Sequence, residues 1–151
     1  MTGTVAHASL TLTRDIAVPV ERTFAAFADR EQKRAWFTDG PDWDTTEDAF
    51  DFRVGGTEIA EGKFHGGPLS RFVARYTDIV PNERIVLTYD MWLDGTHIST
   101  SVACYEFEAT DSGTRFTHTE HGVHLDGLDD GAGREEGTRG ILETLAAYLE
   151  S

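Results

Sequence analysis

A single cysteine, Cys104, is all the thiol that this 151-residue chain contains. No internal disulfide can form, and the chain suits a reducing compartment. Long apolar runs are missing too: nothing approaches the roughly 20 consecutive apolar residues of a spanning helix. The first ten residues, MTGTVAHASL, lack both the basic start and the apolar centre of a secretory leader. The expected location is therefore the cytoplasm, with no membrane partner. Basic side chains are scarce, 13 Lys and Arg against 27 Asp and Glu, for a formal charge of −14. Such a surface repels phosphate backbones, which argues against nucleic acid as a partner. The chain also has no Gly-x-Ser-x-Gly elbow, phosphate-binding loop or dinucleotide fingerprint, and no cofactor is implied. Repeats, linkers and low-complexity tracts are absent, and the length suits one domain over 1–151.

What is present organises around the C-terminal stretch DDGAGREEGTRGILETLAAYL, residues 129–149. At about 100° per residue, Gly137, Thr138, Ile141, Leu142, Leu145, Tyr148 and Leu149 share one face of a helix. Glu135, Glu136, Arg139, Glu143 and Glu150 fall on the other, with Glu135–Arg139 and Arg139–Glu143 spaced as opposite-charge pairs. This amphipathic helix needs a cover. Gly137 and Gly140 each weaken a helix interior by about 1 kcal/mol relative to alanine, and close packing of the backbone on a strand is the expected reason.

The rest of the chain supplies the cover. Leu10, Leu12, Ile16 and Val18 recur with strand spacing after a loose lead-in over residues 1–7. Pro19 then opens a helical segment carrying Val20, Phe24, Phe27 and Ala28 on one face. Asp29 breaks it, and a short turn brings Ala35, Trp36 and Phe37 inward. Residues 38–48 read as a loop around Trp43. From Ala49 the period is two. Strands are expected from 49 to Val54, 57–65, 69–80, 84–93, 97–109 and 114–121, separated by Gly55-Gly56, Gly66-Gly67-Pro68, Pro81-Asn82, Asp94-Gly95 and Asp111-Ser112-Gly113. Strands joined by short turns are antiparallel with one buried face.

Strand, short helices, six strands and a long helix, in that order, resemble the SRPBCC (START-like) superfamily. Its helix-grip, birch-pollen-allergen-like α+β fold wraps a curved antiparallel sheet around the C-terminal helix. Within it the chain is most similar to the branch named for the ATPase activator of the ninety-kilodalton heat-shock protein. The resemblance rests on PVERTFAAFADREQKRAWF (19–37), DFRVGG (51–56), DIVPNERIVLTYDM (78–91), GTRFTHTE (113–120) and EEGTRGILETLAAYL (135–149). One departure is that the family often has Trp after the glycine where Thr138 follows Gly137. The resemblance implies a deep pocket between sheet and helix, in a superfamily that binds lipids, polyketides and other hydrophobic molecules and sometimes cyclises or hydrolyses them. Members that activate the chaperone carry a separate domain ahead of this one. About seven residues precede the first expected strand here, so that activity is not expected.

The residues themselves place a candidate ligand cavity among Trp36, Phe52, Tyr76, Tyr89, Met91, Ser101, Tyr105, Phe116, His118 and Glu120, facing Gly137, Ile141 and Leu145 of the helix. Large aromatics mixed with small or polar groups (Ser99, Ser101, Ala103) suit a mostly apolar pocket with a few orienting polar atoms. A solid core with tyrosine hydroxyls at the rim is the alternative. Arg134 is expected to be solvated, its stem over apolar surface, with an anion anchor at the pocket mouth as the other option. His118, His121 and His124, with Glu120, Asp126, Asp129 and Asp130, carry metal-ligand chemistry. Strand alternation separates His118 from His121, however, and His124 falls in the following loop, so no metal site is expected. No catalytic residue is assigned. Cys104 faces away from the inward set with nothing basic beside it to activate it. The expected partner is a hydrophobic small molecule, with a weak homodimer left open. The alternatives are a cyclase- or hydrolase-like enzyme using cavity Tyr, His and Glu, and a co-chaperone-like interaction domain.

Overall fold

The structure is a computed structural model that describes residues 3–38 and 40–151. Ten elements follow one another: β1 (Val5–Ile16), α1 (Val20–Ala28), α2 (Arg30–Phe37), β2 (Trp43–Phe50), β3 (Thr57–Phe64), β4 (Leu69–Val80), β5 (Arg84–Leu93), β6 (Thr96–Thr110), β7 (Gly113–Leu125) and α3 (Gly131–Glu150). The seven strands form one antiparallel sheet in the order β1-β7-β6-β5-β4-β3-β2. Its ends do not join, and the concave face holds α3, with α1 and α2 packed beside it. This α+β arrangement is the helix-grip fold.

Period-two alternation explains which face is inside. On β5, Ile85, Leu87 and Tyr89 are buried. On β6, Ser99, Ser101, Ala103 and Phe107 are buried, and on β7, Phe116, His118 and Glu120. The inward residues line up in cross-strand rows: Ile85, Tyr105, His118 and Leu12; Leu87, Ala103, Glu120 and Leu10; Tyr89, Ser101 and Gly122. Asp94 and Gly95 both take positive φ, 48° and 81°, as a two-residue hairpin turn requires.

Several boundaries differ from the sequence expectation. Strand β1 begins at Val5 inside the supposed lead-in, because Val5 finds a partner in Leu125. Residues Met1 and Thr2 lie outside the described residues. The expected loop at 38–48 is largely strand β2. Trp43 pairs with Phe64, and its indole covers Gly62, where an added Cβ would sit 2.6 Å from the ring. Strand pairing ends at Phe50, so Phe52 and Val54 sit in a turn that closes on Gly56. The Gly56 nitrogen donates to the Arg53 carbonyl at 2.8 Å. The helical segment does break at Asp29, which is extended, but Ala35 is exposed and Lys33 is buried in its place. Strand β7 runs on to Leu125 and so carries His124 inward.

Candidate functional site

Between α2, the inner face of β3 to β7 and the first half of α3 lies a cavity of about 350 Å³. Aromatic rings make most of its wall. Phe27 meets Trp36 at 4.9 Å and Phe116 at 5.2 Å between centroids, Phe37 meets Phe72 at 5.4 Å, and Phe72 meets Tyr89 at 4.9 Å. Nine of the sequence-derived candidates line it: Trp36, Tyr89, Met91, Tyr105, Phe116, His118, Glu120, Gly137 and Ile141. Four do not. Leu145 is fully buried within the main hydrophobic cluster, so it belongs to the core. Phe52 and Tyr76 pack on each other at 5.0 Å beside Phe24 and Phe50, away from the cavity wall. Ser101 lies beneath Arg134, its Oγ 3.4 Å from Nη1.

The helix explains the division. Thr138, Leu142, Leu145, Ala146 and Leu149 are its buried stripe. Arg134, Gly137 and Ile141, spaced by three and four, form one edge of that stripe and face the cavity. Close packing does not account for the glycines. A Cβ at Gly137 or Gly140 would meet nothing within 4 Å. Of the two expected charge pairs on α3, Glu135–Arg139 forms at 3.0 Å, whereas Glu143 turns instead to Arg14 of β1 at 2.9 Å.

One end of the cavity is polar, and its centre is the residue the sequence misplaced. The Arg134 side chain is only 12% exposed. Nη1 donates to the Tyr89 hydroxyl at 2.8 Å and lies 3.3 Å from Glu120 Oε2, while Nη2 donates to Ser99 Oγ at 2.7 Å and to Asp129. The small residues of β6 therefore make room for a guanidinium and supply its acceptors. A cation in the first turn opposes the helix dipole, and the two carboxylates offset this. Asp130 caps the same turn, accepting from the Gly133 nitrogen at 2.6 Å.

Glu120, 3% exposed, receives the Tyr89 hydroxyl at 2.7 Å on Oε2 and His118 Nε2 at 3.0 Å on Oε1. Burial alone would push its carboxyl up. The hydrogen bonds from His118 and Tyr89, with the charges of His118 and Arg134, outweigh burial and hold it below the usual carboxylate range. A carboxylate only accepts, so Nε2 carries a proton, and in the neutral form of the ring the lone pair is then on Nδ1. Among the described residues neither His118 Nδ1 nor the Tyr105 hydroxyl has a hydrogen-bond partner, and both residues line the cavity. Burial pushes the Tyr105 and Tyr89 hydroxyls up, the nearby carboxylates adding to it, so both stay protonated.

A second buried charge pair went unforeseen. Lys33 Nζ lies 3.0 Å from Glu58 Oε1, which also accepts the Tyr76 hydroxyl, and 4.5 Å from the Phe37 ring centroid. Two signals pointed to it: Lys33 precedes Trp36 and Phe37 by three and four positions, and Glu58 alternates with Ala60 and Gly62. Trp43 adds a buried indole nitrogen without a partner among the described residues.

The histidines divide as strand alternation requires for His118 and His121. His121 faces outward onto Ser9 Oγ at 2.7 Å, while His124 is inward, 3.7 Å from Asp129. No group of three or more His, Cys, Asp or Glu among the described residues is placed to hold a metal ion. Burial raises the Cys104 thiol, Glu106 adding to it; Arg84, which the sequence had not placed there, acts the other way.

The model for the family described as Activator of Hsp90 ATPase homolog 1-like protein matches residues 17–150, a span that contains all five motifs behind the resemblance. The Mll3558 protein of Rhizobium loti is 43% identical, over 96% of this chain and 99% of that one, with a TM-score of 0.89. A protein of Rhizobium leguminosarum is 39% identical over 99% of both chains, TM-score 0.94. An AHSA1-like protein of Aeromonas hydrophila, 20% identical over 94% and 92%, shares the fold with a TM-score of 0.70. No curated protein matches the chain.

Proposed function

Because the chain belongs to the family of Activator of Hsp90 ATPase homolog 1-like proteins, which supports a ligand-binding or co-chaperone-like role in general, we propose that it binds a small, neutral, mostly apolar molecule in this cavity. The observation that carries the proposal is the pairing of charges around an aromatic space. Arg134 is matched by Glu120 and Asp129, and Lys33 by Glu58. Among the described residues that line the cavity, no charge is left free for an ionic ligand. Among the unpartnered polar groups on the wall, the Tyr105 hydroxyl and the Trp43 indole nitrogen offer donors and His118 Nδ1 an acceptor, which suits a carbonyl or hydroxyl on an otherwise apolar ligand. A volume of about 350 Å³ lies at the lower end of the 300–1,000 Å³ typical of such sites. It favours a compact ring system over a diacyl lipid. No helix among the described residues is long and apolar enough to cross a membrane. The whole of 1–151 acts in this proposal as one domain.

The test uses an environment-sensitive hydrophobic dye and the native protein. Wild type should bind the dye saturably. Gly137→Phe should remove that binding while leaving the melting temperature nearly unchanged, since the new side chain enters open space. Ser101→Phe is the contrasting variant. A Cβ at Gly122 would already lie 2.8 Å from Ser101 Oγ, so a larger residue at 101 overpacks and costs about 1–3 kcal/mol. Absence of native-state dye binding in wild type would overturn the proposal.

A further inference from the structure

We propose that this cavity also performs proton transfer, with His118 as general base and Glu120 as its positioning residue, on a neutral carbonyl compound bearing an acidic C–H. The inference rests on the ligand-binding reading of the same cavity but goes beyond it. A buried carboxylate bonded to one nitrogen of an imidazole, whose other nitrogen faces a substrate-sized space, is the arrangement by which a weak base is oriented for proton abstraction. Here the carboxylate is itself anchored. Tyr89 donates to it from β5, and Arg134 reaches both Tyr89 and Glu120 from α3, so neither Glu120 nor the tautomer of His118 is free to change. An unbonded ring nitrogen alone does not mark a base, since His124 Nδ1 is also buried without a hydrogen-bond partner among the described residues; His118 differs in lining the cavity. His118 Nδ1 has no partner among the described residues, and the cavity wall beside it is aromatic, which keeps bulk water from competing with a bound C–H.

The step balances without any cofactor. Nδ1 takes the proton from the carbon next to the carbonyl. The C–H electron pair becomes the new C=C bond, and the carbonyl π pair moves onto oxygen. The Tyr105 hydroxyl, whose ring lies 4.9 Å from that of His118, donates a hydrogen bond to the developing enolate. The imidazolium then returns the proton to another carbon of the conjugated system or to the oxygen. The product is an isomer of the substrate, and His118 is neutral again. The groups facing His118 are Glu120 on its own strand, Tyr105 from β6, Tyr89 from β5, and Arg134 and Asp129 at the start of α3, with Lys33 of α2 lining the same space.

A nitro-substituted benzisoxazole tests the base directly. Removal of its ring C–H sends the proton to the base and the electron pair into a nitrile, and cleavage of the N–O bond releases a coloured phenolate. Wild-type protein should turn this probe over saturably, with a rate that rises with pH and then levels as one group deprotonates. His118→Gln should lower kcat/KM about a hundredfold or more, with the loss falling on kcat rather than on KM. Glu120→Gln should lower kcat with KM little changed, because the base stays in place but is no longer held by an anion. Turnover unchanged in His118→Gln, with dye binding intact, overturns the proposal and leaves the binding reading standing. Should that variant fail to fold, the wild-type profile decides: a rate proportional to hydroxide with no plateau overturns it equally.

Discussion

Lys33 and Glu58 show how single residues carry charge into this interior without a ligand. Their side chains are 8% and 5% exposed, so each is stable there only through the other, through Tyr76 and through the Phe37 face. Glu58→Met should destabilise the protein by about 3–5 kcal/mol, since it leaves a buried ammonium unpaired and a phenol unmatched. Replacing all three together, Lys33→Met, Glu58→Met and Tyr76→Phe, should recover most of that loss in chemical denaturation. A triple variant as unstable as the single one would mean that packing volume rather than charge governs this site. Arg134 teaches the same lesson about what can be seen in one dimension. Alternation put Tyr89, Tyr105, Phe116, His118 and Glu120 on the inward face from the sequence alone. Helical spacing puts Arg134 in the inward sector with Gly137 and Ile141, but its burial was not legible, because its partners come from β5, β6, β7 and Asp129 and meet only in the folded sheet.

Elements follow the sequence where a local signal is strong and depart from it where pairing decides. The break between α1 and α2 at Asp29 and the Asp94-Gly95 hairpin were legible because each rests on a few adjacent residues. Strand β7 was expected to stop at His121. It continues because Gly122 faces Ser101 and His124, where a side chain would collide. Strand β2 was hidden by its turn-forming composition, and only pairing with β3 specifies it. For α3 the glycine at 140 is exposed and its Cβ position is empty. Gly140→Ala should therefore raise stability by about 0.5–1 kcal/mol. A shift in denaturation midpoint toward lower stability would show that the backbone there needs glycine for a reason outside the described contacts.

At the scale of the whole molecule, two electrostatic effects oppose each other as pH falls. The chain carries a formal charge of −14, and partial neutralisation relieves self-repulsion, which favours the compact state. The grip of the sheet on α3 responds in the other direction. Arg134 joins the helix to Glu120 of β7, Ser99 of β6 and Tyr89 of β5, and this junction needs Glu120 ionised. The folded state holds that carboxyl below its ordinary range, so the unfolded chain binds the proton first. Glu120 then contributes stability that is fully present above the unfolded value of about 4.3 and is lost as pH falls through the folded value. The measurement is the stability difference between wild type and Glu120→Gln, by denaturant titration from neutrality into acid, which cancels the repulsion common to both. That difference should stay level down to the ordinary glutamate range and shrink below it. A difference that stays constant throughout, or grows in acid, would mean that the helix is held to the sheet by its apolar stripe alone, with the buried ion network adding nothing to the closure.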